Sequence, residues 1–289
     1  MSTALRPTPR LSAPSSPSSP SRPSRLPRPY RVLRLIGVGV RTHVGYMSRS
    51  PLEITFAVLV PLVYATLAVY LFRAGGDQGR MLQASVGAGL MGMWASVLFG
   101  SGGAVQNQRW LGTLETLTAA PTPLALTLLP VTLATAVVGT YAMGATLLWG
   151  AVLFGTPLHF AHLLLFLVAV PVCVLALGMM GLLLASTFVL MRNANALANA
   201  LDHPIWLLSG MLVPITVLPS WTHPISWVLP TTWGARAVQA AALPGHPTAE
   251  VLRCLALTVG SGLGYLLLAV VALTHVERRA RRAATLALA

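Results

Sequence analysis

Asp202 and His203 stand side by side in an apolar stretch and are followed at once by Pro204. A carboxylate next to an imidazole is a pair that can hold or relay a proton. An ionisable side chain among apolar residues is costly to bury, which makes the pair a functional candidate. Two readings stand. One is a structural role near a helix end, with the polar groups reaching toward an interface. The other is a part in a pathway or gate, for which Arg236 is a further candidate. His159 and His162 are three residues apart, but no Cys, Asp or Glu lies near enough in sequence to complete a metal set. Cys173 and Cys254 both lie in apolar runs and read as buried free thiols, with no disulfide framework. The acids are Glu53, Asp77, Glu115, Asp202, Glu250 and Glu277. They are dispersed, with no paired carboxylates, no serine-nucleophile elbow and no Cys/His constellation, so no hydrolase or metal-dependent catalytic site is expected. Glu53 follows Pro51 and suits the acid-favouring start of a helix.

A second kind of chemistry is carried by RWLGTLETLTAAPTP, Arg109 to Pro123. This polar, helix-prone stretch lies between two strongly apolar ones. Leu111, Leu114 and Leu117 make one apolar ridge at three-residue spacing, Trp110 adds an amphipathic anchor, and Pro121 and Pro123 end the segment. Such a short helix can dock into a groove on a soluble partner. Lying on lipid headgroups as a surface loop is the alternative.

The elements that position these residues follow from composition. Of 289 residues, 55% are hydrophobic and 9% charged, against roughly 25% charged in a soluble domain. The chain therefore reads as a membrane protein. All 19 basic residues are Arg and Lys is absent. A P-loop ATPase needs its phosphate-binding Lys and a Schiff-base enzyme its amine, so both are excluded. The net charge of +13 does not imply nucleic acid as a partner, because the Arg residues gather at the two ends of the chain, where membrane topology accounts for them. Residues 1–29 are rich in Pro, Ser and Arg and lack an apolar run, which predicts a disordered cytoplasmic tail and no secretory signal. Residues 281–289 are expected to be a short basic cytoplasmic tail.

Between the tails, residues 30–280 read as one all-α transmembrane domain. At about 100° per residue, residues 30–49 place Arg31, Arg34, Arg41 and Arg49 on one side. Val32, Leu33, Ile36, Val40, Val44 and Met47 fall on the other, a basic amphipathic helix of the interfacial kind. Six stretches approach the ~20 apolar residues that a crossing needs. They are about 52–72, 82–105, 124–154, 158–190, 197–214 and 251–275. The third is long enough to be tilted, or broken near Pro130. Residues 215–250 are apolar but cut by five prolines, which predicts re-entrant or interfacial pieces. With six crossings both termini share a side, and that side collects fifteen Arg against four. The termini are therefore expected in the cytoplasm, with Arg109–Pro123 beside them. In the second span, Ala84, Ala88, Gly92, Ser96, Gly100 and Ala104 form a row of small residues four apart, the signature of close helix packing. The partner is either another helix of this chain or a second copy.

At these residues the sequence resembles a family. Gly112-Thr113-Leu114-Glu115, then Leu117, then Pro121, is similar to the GTLE-x-L-x-x-x-P signature of type-2 ABC exporter permeases, which include daunorubicin-exporter-like and polysaccharide-exporter membrane subunits. Ser209-Gly210, Pro214, Leu218-Pro219, Trp221 and Leu229-Pro230 with Thr232 and Arg236 resemble a second region of that family. The resemblance covers residues 30–280. It implies a permease at a two-fold axis with a second copy, a homodimer, over two copies of a separate ABC ATPase. Arg109, Trp110, Gly112, Thr113, Leu114, Glu115, Leu117 and Pro121 would then form the coupling helix seated in the ATPase. The helix at 30–49 would be interfacial, and the pieces at 215–245 outer-side re-entrant helices. No cofactor is expected in this chain; ATP and Mg would be bound by the ATPase. The cargo would be hydrophobic or amphiphilic, such as a secondary metabolite, drug or peptide, exported through the plasma (inner) membrane among its lipids. A lipid or lipid-linked glycan exporter, a non-transport scaffold for a soluble partner and a proton-coupled carrier centred on Asp202 are the alternatives. One departure stands out. Where family members carry an acid-rich E-R-E run, this chain has Gln108-Arg109-Trp110-Leu111, so one contact to the ATPase would be apolar instead of ionic.

Overall fold

The computed structural model describes residues 28–49, 51–74, 81–110, 123–156, 158–190 and 194–283. Among them the chain is helical and contains no strand. The helices are α1 (Arg28–Met47), α2 (Pro51–Ala74), α3 (Met81–Trp110), α4 (Leu124–Phe154) and α5 (Leu163–Leu190). They continue with α6 (Ala194–Leu208), α7 (His223–Val228), α8 (Pro230–Ala242) and α9 (Thr248–Ala283). Two single 3₁₀ turns, Ile215–Val217 and Ser220–Thr222, lie between α6 and α7.

Among the described residues four helices are long and apolar enough to cross a membrane: α3 over Met81–Ser101, α4 over its whole length, α5 over Leu163–Val189 and α9 over Thr248–Arg278. The expected first span corresponds to α2, whose described apolar part is the shorter Val58–Tyr70. The expected fifth span differs most. Helix α6 has 15 residues, about 22 Å at ~1.5 Å per residue against ~30 Å of hydrocarbon. It stops because Gly210 takes a left-handed conformation with φ 69°, and Gly210 N and Met211 N donate back to Leu207 O and Trp206 O. That is a glycine-terminated helix end. A side chain at Gly210 would also run into Ile215 Cγ1 at 2.8 Å.

Of the two alternatives for the third span, tilted or broken, the break near Pro130 does not occur. Helix α4 runs through it, as α2 runs through Pro61 and α5 through Pro171. Pro61 and Pro130 are buried and Pro171 lies on an exposed face; in each case the neighbouring backbone bonds carry the helix past the one that the proline removes. The fourth expected span starts later than residue 158. Gly155 ends α4 in the left-handed region with φ 63°, and α5 begins at Leu163. In between, Ala161 N and His162 N donate to Ala242 O and Ala241 O at the end of α8. His162 Nε2 lies 3.0 Å from His246 O. His162 is thus bound to the chain's own backbone.

The core is built on α3 against α4. Met93, Trp94, Val97 and Leu98 are fully buried there with Ala136 and Met143. Glycines set how close the helices come. A Cβ on Gly92 would strike Pro61 of α2 and stand 2.7 Å from Ala142 Cβ. One on Gly100 would strike Thr135, and one on Gly139 would stand 2.8 Å from Met93 Cα. Ala88 is buried and Ser96 half-buried in the same row. The small residues of α3 thus face α2 and α4 of the same chain. Helix α2 runs beside α4, with Trp149 Nε1 donating to Thr66 Oγ1 at 3.0 Å.

Helix α1 begins at Arg28, inside the stretch expected to be tail, and α9 extends to Ala283. Helix α1 lies along the first half of α4: a Cβ on Gly39 would stand 2.7 Å from Pro130 Cβ, and Ser48 Oγ lies 3.3 Å from Tyr141 Oη. Val32, Ile36, Gly39, Val40, His43, Val44 and Met47 are its half-buried stripe. Leu33, expected on that face, is exposed.

Candidate functional site

Two ends of the helical bundle carry polar groups. At one end α3 finishes and α4 starts. Arg109 and Trp110 are the last described residues of α3. Thirty residues give α3 a length of about 45 Å at ~1.5 Å each, so it outruns a ~30 Å hydrocarbon core. Gly112, Thr113, Leu114, Glu115, Leu117 and Pro121 lie outside the described residues. What is described is how the far side of that segment is anchored. Pro123 precedes α4 and offers no side-chain cap. The backbone N–H of Leu124, an orphan donor at a helix start, instead donates to Glu277 Oε2 of α9 at 3.3 Å. An acid is favoured at that position by the helix dipole. Glu277 therefore ties the last span to the residue where the polar segment re-enters the bundle. The sequence showed this acid only as one of six, because its partner lies 153 positions away.

Asp202 is buried at 8% exposure on α6. His203 Nδ1 is 3.8 Å from Asp202 Oδ2, while the His203 side chain itself is 68% exposed. The indole of Trp94 on α3 is the polar group that faces the carboxylate. Asp202 Oδ1, Trp94 Nε1 and Trp206 Nε1 are buried without a hydrogen-bond partner among the described residues. A carboxylate so placed is held at some cost. The pair thus spans a buried α3–α6 contact on one side and an open face on the other.

The opposite end is built by residues 209–250. Ser209 Oγ and Thr231 Oγ1 form a buried hydrogen-bonded pair. Gln239 Nε2 donates to Gly210 O at 3.2 Å and to Met211 O at 2.7 Å. These bonds fasten the turn after α6 onto α8. Pro230 opens α8 as its first residue, where a missing N–H costs nothing. Gly234 lets α8 sit on α5, since a Cβ there would come 2.8 Å from Cys173 Sγ. Most of the Ser209–Arg236 motif therefore serves to fold this cap. Arg236 is different. Its guanidinium carbon lies 5.7 Å over the Trp233 ring, and it lines a cleft of about 520 Å³ with Trp227, Trp233, Glu250, Arg253 and Leu257. Among the described residues Arg236 shares no hydrogen bond or ion pair with Asp202, so the pathway candidates fall in two places. Arg253 and Glu250 were not singled out by spacing, because they reach Arg236 only through the packing of α9 on α8.

Among the described residues no group of three or more His, Cys, Asp or Glu could hold a metal ion. A family model described as ABC-2 type transporter matches residues 38–243. No curated protein matches the chain.

Proposed function

The chain belongs to the ABC-2 type transporter family, and from that premise we propose that it is the membrane subunit of an ATP-driven exporter of a hydrophobic or amphiphilic cargo. Its coarser role is plain: it is a multi-pass membrane permease component of an ABC transporter, a class that works with an ABC ATPase. The carrying observation is the extent of the match. It spans both the Gly112–Pro121 stretch and the Ser209–Arg236 stretch.

In this reading α2 and α6 join the four long helices to give six crossings, with α6 completed by the turn at 209–214. Residues 215–242 return as re-entrant pieces on the outer side. The fifteen-to-four excess of Arg supports a cytoplasmic side for both termini and for residues 109–123. There the coupling segment, held between the end of α3 and the Glu277-capped start of α4, meets the ATPase, which binds ATP and Mg. Two copies of the permease over two ATPases, a daunorubicin-exporter-like cargo such as a drug or secondary metabolite, and the plasma membrane complete the proposal. Among the described residues Asp202 is the one Asp, Glu, His or Arg that is buried, which favours an apolar cargo over a bulky glycan.

The test is purification of the solubilised protein from its host with whatever ATPase accompanies it, followed by transport and ATPase assays in proteoliposomes. Glu115→Ala and Gly112→Pro should leave insertion intact and uncouple ATP hydrolysis from transport. Normal transport by both variants would sink the coupling assignment. A second reading, a proton-coupled carrier, is favoured by the buried, unpartnered Asp202 Oδ1. It predicts that Asp202→Asn abolishes transport and that ATP makes no difference, whereas the exporter reading predicts ATP-dependent transport in that variant.

A further inference from the structure

We propose that the cleft between α8 and the start of α9 binds the phosphodiester headgroup of a bilayer phospholipid, with the lipid's acyl chain lying along α9 below it. The proposal requires only that the chain sits in a membrane, and it stands apart from the direction of transport and the cargo.

The headgroup end is defined by charge. Arg236 and Arg253 both line the cleft. Neither makes an ion pair or hydrogen bond among the described residues, and the contact of Arg236 is with the Trp233 ring. Each guanidinium presents five donors in a planar fork that matches phosphate oxygens. The acid in the cleft, Glu250, is engaged on its own helix side by His246 Nδ1 at 2.9 Å. Two Arg and one Glu leave one net positive charge, the complement of one phosphodiester. The walls are aromatic and fixed. Trp233 Nε1 donates to Trp227 O at 2.9 Å, and Trp227 itself is more than half exposed. Indoles with one wet edge are the side chains that settle at headgroup depth.

The acyl end follows from the face of α9. At ~100° per residue, Arg253, Leu257, Gly260, Gly264, Leu268 and Val271 share an arc of about 80°. Leu257, Leu268 and Val271 are exposed. A Cβ on Gly260 or Gly264 would meet nothing within 4 Å. The two glycines are therefore not there for a close helix contact within this chain. Between flanking leucines and valines they leave a shallow furrow that runs straight from Arg253. From Leu257 to Val271 it is about 21 Å long, more than half of a ~30 Å hydrocarbon core. Charge above and furrow below describe one amphiphile, and in a bilayer the phospholipid is the abundant molecule of that shape.

Native mass spectrometry of the full-length protein in a neutral maltoside detergent, titrated with dioleoyl phosphatidylglycerol, tests this. The wild type should retain at least one lipid per chain. Arg236→Gln with Arg253→Gln should weaken that binding by about tenfold or more, the scale of a lost charge-assisted hydrogen bond. Gly260→Leu with Gly264→Leu, which fills the furrow and leaves the Arg pair in place, should weaken it severalfold. Should the double Arg variant not fold, Arg253→Gln alone, at an exposed position, gives the reading. Soluble glycerol phosphate at millimolar concentration should not displace the lipid. Equal lipid retention by the wild type and the Arg variants would overturn the proposal. So would full displacement by glycerol phosphate, which would make the cleft a site for a free anion.

Discussion

Helices α3 and α9 are both long, both apolar and both carry small residues four apart, yet they end in opposite surroundings. In α3 the most apolar window is 78% buried within the chain; in α9 it is 22%. Gly92 of α3 abuts Pro61 and Ala142, while Gly264 of α9 faces open space. A row of small residues permits close approach and does not by itself bring it about. On α3 the approach is made by α2 and α4. On α9 the rest of the chain packs on the other side, where Val251, Cys254, Ala269, Leu273 and Val276 are buried.

The sharpest way to break this comparison is to enlarge one glycine on each helix. Gly92→Leu should cost more than the ~1–3 kcal/mol typical of overpacking, because backbone-bound Pro61 cannot yield. The expected outcome is a large loss of monodisperse protein in detergent. Gly264→Leu should leave the unfolding free energy within about 0.5 kcal/mol of the wild type. Equal damage from the two would mean that α9 is as tightly enclosed as α3.

Next in size is Gln239→Leu, which strips Gly210 O and Met211 O of their donor. Leaving buried carbonyls unpaired should cost about 1–3 kcal/mol each at most. Hydrogen exchange should report it as faster opening of residues 209–215, with α3 unchanged. Glu277→Ala should cost about 1 kcal/mol by uncapping α4, visible as faster exchange at Leu124–Thr127 and, in the complex, as weaker coupling of ATPase to transport. The smallest effect is expected for Glu250→Gln. Its partner His246 is a half-buried neighbour four residues back, in the turn that precedes α9, and a pair so open to solvent is worth about 1 kcal/mol or less. A melting temperature lowered by several degrees would show that Glu250 does more than close that pair.

Legibility in the sequence followed the range of the interaction. The long helices were legible because runs such as 124–154 and 158–190 are almost without charge, and at such length a helix is the spanning structure that satisfies its own backbone. The small-residue row was legible, but its partner was not. The coupling motif was read from Gly112 to Pro121 by likeness to a family, and those residues lie outside the described structure. The end of α6 was not legible because residues 197–214 stay apolar beyond it, and only the left-handed Gly210 with its Ile215 contact stops the helix there. Trp94 could not be paired with Asp202, nor Arg253 with Arg236, from spacing.

The sequence by itself decided that this chain belongs in a membrane, from its composition, that its long uncharged runs are helices, from their length, and that no P-loop Lys is present in its 289 residues. These are properties of side-chain chemistry summed along the chain, and they need no knowledge of neighbours. The tertiary structure decided which face of each apolar helix meets protein, which acid caps which helix, and that two Arg residues from different helices share one cleft. An apolar surface has no directional preference of its own. Its partner is chosen by shape, glycine by glycine, once the helices are side by side.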